Sequence, residues 1–409
     1  MTAAAPTRLL NWAVVVAALG YFVDIYDLVL FGVVRVASLK DIGVPESELL
    51  STGVFLLNMQ MAGMLLGGVL WGMLGDKKGR LSVLFGSILM YSLANLANAF
   101  VTSVEMYAVL RFIAGIGLAG ELGAAITLVC EVMPKEKRGA ATAIVAGFGV
   151  SGAILAATVG QLVHWSHAYI IGGVMGLALL VLRVRLAESG LFHRMGTHHT
   201  APRGNFLMLL YPAKRLKTYL ACILIGVPIW FVIGILATFA PELGKALNAT
   251  GPLVAAQAIM YAYIGLVGGD FASGFLSQYL KSRRKVVALF MASAAGLTAL
   301  FLLMPGMDPS FYYILYVLLG FSAGYWAVFV TIGAEQFGTN LRATAATTIP
   351  NMVRGSTVAL TTAFTFFKGH LPLDLSALLV GAFAFAIGAA ALWRLKETFH
   401  ADLDFLEHK

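Results

Sequence analysis

Residues 68–87 read GVLWGMLGDKKGRLSVLFGS: an apolar run, a turn with one acid and three bases, then a second apolar run. Residues 274–293 read GFLSQYLKSRRKVVALFMAS, again two apolar runs around a basic turn, here with four bases and no acid, at an offset near 205 in a chain of 409 residues. A second pair of segments agrees. Glu131 precedes Arg138 by seven residues in EVMPKEKR, and Glu335 precedes Arg342 by seven in EQFGTNLR, at an offset of 204. Two matches at about half the chain length indicate a duplicated unit.

The flanking runs set the solvent. The chain is 59% hydrophobic and 12% charged, against about 25% charged in a soluble domain. A bilayer suits it better, since each spanning helix takes ~20 mostly apolar residues. Twelve such runs can be read, at about 10–38, 49–74, 82–100, 104–133, 139–163, 167–186, 217–241, 253–280, 286–304, 310–337, 343–367 and 374–394. None alternates like a strand, and all are too long for barrel strands. The expected fold is an all-α membrane protein, with twelve transmembrane helices in two pseudo-symmetric six-helix bundles. The expected units are an N-terminal half at 1–186, a cytoplasmic central loop at 187–216, and a C-terminal half with a short tail at 217–409. In the loop, NFLMLLYPAKRL reads as a short helix lying on the membrane surface. The first span shows no small-residue cleavage site after a short core and reads as retained.

Charge placement gives orientation. With a cytoplasmic N-terminus, the cytoplasmic segments hold 22 of the 28 Lys and Arg, Arg183 among them. The outer loops hold three (Lys40, Lys245, Lys368), and three more (Arg35, Arg111, Arg354) fall within spans. This is the positive-inside pattern with both termini cytoplasmic, so the net charge of +8 reports topology rather than a nucleic-acid partner. Cys130 and Cys222 both lie in spans, and the eight histidines show no ligand spacing. No metal or cofactor is expected.

The turn GMLGDKKGRL at residues 72–81 resembles the signature G-x-L-x-D-[RK]-x-G-[RK]-[RK] of the major facilitator superfamily, with Leu81 at the last basic position. Span four, with LRFIAGIGLAGELGAAITLVCEVMPKEKRG, is similar to the R-x-x-x-G-x-G segment of the same superfamily and narrows the likeness to its metabolite:proton symporters. DIYD at 24–27 is similar to the D-G-[FY]-D pattern of the aromatic-acid:proton symporters, and KETFHADLDFLE to the tail of related carriers. The resemblance implies a secondary transporter working by alternating access, without a nucleotide cofactor. Gly115, Gly117 and Gly120 spell G-x-G-x-x-G inside one apolar helix, where close helix packing is expected rather than a dinucleotide. Span five lacks the G-P-x-x-G-G of drug antiporters.

Charges at membrane depth cost ~2.5–3.5 kcal/mol each and mark pathways. Asp24 and Asp27 sit nearly one turn apart on one helix face. Two carboxylates this close in a low dielectric resist ionising together, so with Glu121 they are the expected proton-coupling groups. Arg111 and Arg354 suit a carboxylate through bidentate hydrogen bonds. Pairing of Arg354 with a protein acid such as Asp270 is the competing structural reading. Tyr21, Asn58, Gln60, Gln161, Trp230, Gln257, Tyr325, Trp326 and Asn351 are the polar and aromatic residues expected to line a cavity. Gly72, Asp76, Gly79, Arg80, Glu131, Arg138, Glu335 and Arg342 are expected to form an inner latch that breaks when that side opens.

The expected function is proton-coupled uptake of a small organic anion, a carboxylate metabolite or carboxylate siderophore, by a monomer in a bacterial cytoplasmic membrane. A facilitator or exporter of the same fold, carrying a neutral or amphoteric metabolite, is the alternative, and a transporter-like receptor a further one. An enzyme is not expected: the chain has no H-E-x-x-H, no nucleophile elbow and no paired metal ligands.

Overall fold

The computed structural model describes residues 12–78, 80–121, 123, 129, 133, 135–188, 206–399 and 407. Among them, nine helices are long and apolar enough to cross a membrane: Val14–Asp41, Glu46–Leu74, Ile144–Leu162, Trp165–Arg185, Ala213–Ala237, Ala255–Tyr279, Arg283–Leu303, Pro309–Glu335 and Leu373–Arg394. Span three is the shorter apolar helix Ser82–Asn98. Span four begins as Val104–Leu118. Span eleven is two helices, Thr339–Gly355 and Thr357–Lys368. Together they form the twelve-span, two-bundle architecture.

Local chemistry sets the helix ends. Ser103, Ser282 and Asp308 accept hydrogen bonds from the N–H groups of Met106, Lys285 and Ser310, satisfying donors that a helix start leaves unpaired. The surface helix expected before span seven is a single turn, Leu207–Leu210. From Ala213 the basic residues of that segment already belong to span seven.

Glycines bring helix backbones together in equivalent places of the two halves. In the first half, a Cβ on Gly63 or Gly67 of span two would strike the span-four carbonyls of Phe112 or Ile116. In the second, Gly265 and Gly269 of span eight meet the span-ten carbonyls of Val317 and Phe321 in the same way. Gly115, Gly117 and Gly120 likewise press against Gln60, Tyr91 and Ser87, so the G-x-G-x-x-G run packs helices. The halves themselves meet along spans two and eleven and along spans five and eight.

Among the described residues, spans five, seven, ten and eleven are interrupted, and irregular backbone at membrane depth is tolerated where protein buries it or it lines a cavity. Span five breaks at Ser151. Span seven breaks around Gly226 and Pro228, continues through the π-helical turn Val232–Ala237, and restarts as Ala240–Ala246. Span ten breaks at Gly324 and Tyr325. Span eleven carries Pro350 within its first piece and breaks at Ser356.

Candidate functional site

These breaks converge on one cavity between the halves. It is lined by Tyr21 and Ile25 (span one), Val150 (span five), Ile229, Trp230 and Ile233 (span seven), Tyr263 and Leu266 (span eight), Trp326 (span ten) and Arg354 (span eleven). Trp326 opens the second helix of span ten, and Arg354 lies in the last turn of the first helix of span eleven. The cavity is narrow. It has room for about one water. Two indoles and two phenol rings surround the guanidinium, whose Cζ lies 5.7 Å from the Trp326 ring centroid.

Arg354 is fully enclosed, and its partner carboxylate is in the other half. Its Nη1 stands 3.7 Å from Oδ2 of Asp24. Among the described residues, neither oxygen of Asp24 accepts a hydrogen bond, and Nε and Nη1 of Arg354 donate none. The pair is therefore held by charge and confinement alone, at a distance that admits a competitor for the guanidinium.

Asp27, three residues on, belongs to the first half's interior. Its strongest charged neighbour is Arg111, and Gly172 of span six gives it room, since a Cβ there would meet its carboxylate. Arg111 is packed under Phe31 and Tyr169, with its Cζ 5.5 and 5.7 Å from their centroids. It donates to the Tyr169 hydroxyl at 3.5 Å. Tyr169 in turn bonds Tyr107 at 2.6 Å, and Tyr107 donates to Ser38 at 3.3 Å. The two aspartates thus share a helix but answer to arginines in different halves.

Glu121 has a firmer partner than the sequence suggested. Arg183 of span six donates to both of its oxygens, Nη1 to Oε2 at 3.0 Å and Nη2 to Oε1. Arg183, expected in a cytoplasmic segment, is buried. Gly20 leaves the space this pair fills. The signal was present: Gly172, Gly176, Leu179 and Arg183 recur at helical spacing on one face, while Arg185 faces out. The protein acid beside Arg354 is Asp24 rather than Asp270. Asp270 instead accepts the Ala327 N–H at 3.1 Å and caps the second helix of span ten, holding the neighbouring Trp326 at the cavity wall.

Of the other residues expected in the cavity, Tyr21, Trp230 and Trp326 line it, and Asn58, Gln60, Gln161, Gln257, Tyr325 and Asn351 do not. Asn58 and Asn351 tie the halves together: Thr361 donates to Asn58 at 2.6 Å, and Asn351 donates to the Ala119 carbonyl at 2.8 Å. Gln60 donates to the Leu28 carbonyl and Tyr325 to that of Ile225, each within its own half. Gln161 is exposed at the end of span five. Tyr263 was missed, because a tyrosine in an apolar helix carries no signal until the fold aims it.

Gly79, Glu131 and the side chains of Asp76, Arg80 and Arg138 lie outside the described residues. Gly72 faces Thr348 of span eleven. Glu335, expected beside Arg342, meets Arg283 of the repeated turn at 2.6 Å. Arg342 lies close enough to act on it electrostatically.

The family model of the Major Facilitator Superfamily matches residues 17–362. A niacin transporter of Acinetobacter baylyi is 32% identical over 178 residues, 42% of this chain and 40% of that protein. A sialic acid transporter of Escherichia coli is 24% identical over 373 residues, 89% of each. A gentisate transporter of Corynebacterium glutamicum is 25% identical over 400 residues, 92% of this chain and 86% of that protein. The fold matches the inward-open xylose transporter XylE of E. coli with a TM-score of 0.72 at 17% identity, over 95% of this chain and 97% of that one.

Proposed function

Because this chain belongs to the Major Facilitator Superfamily and is a transporter rather than an enzyme, we propose that it carries a small aromatic monocarboxylate together with a proton. The observation that carries the proposal is the Asp24–Arg354 pair, which faces across the seam between the halves without a hydrogen bond between its members, its arginine lining a cavity walled by Tyr21, Trp230, Tyr263 and Trp326. Flat rings suit these walls, and a guanidinium binds a carboxylate bidentately. Among the described residues that line the cavity, Arg354 is the one that carries a charge, which favours a single carboxylate over a polycarboxylate siderophore. The niacin and gentisate carriers among the relatives support the same class.

Charge balance supplies the coupling. Empty, Asp24 neutralises Arg354. A proton on Asp24 together with a substrate carboxylate on Arg354 also leaves the cavity neutral. Either alone leaves one uncompensated charge in a low-dielectric site, which is costly. Only the empty and fully loaded states close readily, so proton and anion cross together, one for one. Asp27, held by Arg111 one turn away, acts as the second station for the proton. Glu121, locked to Arg183, serves as a structural pair. The narrowness of the cavity means that loading requires the halves to part, as rocking about a midplane site provides.

The halves at 1–186 and 217–409 move about the central loop, and the Arg283–Glu335 pair with Arg342 forms the second half's share of the inner latch. Asp76, Arg80, Glu131 and Arg138 form the first half's share. The chain works as a monomer in a bacterial cytoplasmic membrane with both termini inside. Taking Arg183 out of the cytoplasmic count leaves 21 basic residues there against three outside, a bias that still supports this orientation.

The test is uptake of radiolabelled benzoate and nicotinate into proteoliposomes. An inward pH gradient is expected to drive accumulation, and membrane potential alone to leave it unchanged, since one proton with one monoanion moves no net charge. Uptake that ignores the pH gradient points to a facilitator. Uptake that follows the potential overturns the one-to-one balance.

A further inference from the structure

At the face expected to be outer, one guanidinium closes the seam between the halves. Arg35, near the end of span one, is fully buried. Its Nη2 donates to Glu242 Oε2 at 2.8 Å and to the Thr238 carbonyl at 3.3 Å, and its Nη1 to the Leu49 carbonyl at 3.2 Å. Its Cζ lies 4.7 Å from the Phe239 centroid. Leu49 belongs to the first half, while Thr238, Phe239 and Glu242 belong to the second. They occupy the place where span seven leaves its π turn and restarts as Ala240–Ala246. Gly53 of span two leaves the room that Arg35 fills, since a Cβ there would lie 2.6 Å from the arginine's Cδ. Beside this contact, exposed Lys245 meets Glu46 at 2.8 Å, also across the seam.

Stability alone does not explain such an arrangement. A buried ion pair is weak stabilisation, and apolar residues of similar volume would fill the place as well or better. An ion pair differs from an apolar plug in what happens when it parts. Once water enters, both groups recover the hydration that burial took from them, so the closed and open states differ little in energy. A bistable contact of this kind suits a gate. A break in span seven at the same level lets the partner segment move without unwinding a continuous helix.

We propose that the Arg35–Glu242 contact is the outer gate, whose breaking admits substrate from outside and whose forming commits the transporter to the inner side. The proposal rests on the alternating-access and orientation reading above, and the experiment separates the two. In a background with Cys130→Ser and Cys222→Ser, Val150→Cys places one thiol at the cavity wall. Its labelling by a membrane-impermeant maleimide is measured from outside in intact cells and from inside in inverted vesicles.

Glu242→Gln and Arg35→Gln are each expected to raise external labelling about tenfold or more and to lower internal labelling. The exchanged pair Arg35→Glu with Glu242→Arg is expected to return labelling to within about twofold of the parent. Lys245→Gln is expected to stay within about twofold throughout, because an exposed pair contributes little. If Arg35→Gln fails to reach the membrane, Glu242→Gln and Arg35→Met carry the test. External labelling equal to the parent's in these variants, at parent levels in the membrane, overturns the gate. A rise outside with no change inside keeps the gate and removes alternating access. A rise seen only from inside keeps the gate and reverses the orientation.

Discussion

Span one stands between two buried acid–arginine pairs that differ in every respect except composition. Glu121 and Arg183 both sit in the first half and meet through two hydrogen bonds. Asp24 and Arg354 sit in opposite halves, 3.7 Å apart, with no hydrogen bond between them. On the proposed reading, the first pair lies within one half and moves with it as one body. The second pair must change distance whenever the halves rock. A saturated pair within a rigid body is structure, whereas an unsaturated pair across a moving seam can exchange partners with cargo and proton.

This comparison can be broken at either end. The largest effect is expected at Glu121. Glu121→Gln leaves Arg183 buried without its charge partner and should cost ~3–5 kcal/mol of stability, read as thermal unfolding in detergent. Replacing both partners together, Glu121→Leu with Arg183→Met, should recover most of that loss and retain uptake. Retained stability but lost transport in the double variant gives Glu121 a part in coupling.

At the seam the ranking inverts: function is lost, and the cost in stability is smaller because no hydrogen bond between the partners is broken. Arg354→Gln should lower benzoate uptake about a hundredfold. Asp24→Asn should abolish accumulation driven by a pH gradient while benzoate exchange persists, because a neutral amide in place of the carboxylate imitates the protonated state permanently. Gradient-driven accumulation by Asp24→Asn at the parent rate would falsify its role as the carrier.

Two smaller effects sharpen the picture of what only supports the site. Asp270→Ala removes the cap that the Ala327 N–H depends on and should cost ~1–2 kcal/mol of stability, with a few-fold loss of benzoate affinity through Trp326. Glu397, in the tail, is the smallest. Burial pushes its carboxyl up, but the Ser282 hydroxyl and the N–H groups of Arg283, Phe399 and Arg284 outweigh this and hold it below the usual carboxylate range. A depressed pKa contributes stability above the unfolded value of about 4.3, which is lost as pH falls through the folded value. Glu397→Gln should therefore lower stability by less than ~1 kcal/mol near neutral pH. Its melting curve should approach the parent's as pH falls below the unfolded value.

The seam pair was half legible. Asp24, Asp27, Arg111 and Arg354 stand out because a charge in an apolar run is expensive wherever it ends up. Which acid meets which arginine could not be read, since spans one and eleven are separated by most of the chain. Asp270 illustrates the error this invites: by composition it suited Arg354, yet the break at Gly324 and Tyr325 gave it a helix N-terminus to cap. Arg183 failed for a different reason. It lies beside a basic span end, where position along the chain suggests water and only the helical face reveals burial. Asn58 and Asn351 stand out by the same cost, yet in this structure they bond across the seam and do not line the cavity.

By itself the sequence determined the solvent, the duplicated unit and the all-helical architecture, because hydrophobic length, charge bias and glycine placement act locally along each segment. The tertiary structure alone decided the pairings, the cavity wall and the Arg35–Glu242 contact across the seam. These depend on how broken helices from two halves are brought face to face, and a side chain's partner in a low-dielectric interior is set by that geometry rather than by its neighbours in the chain.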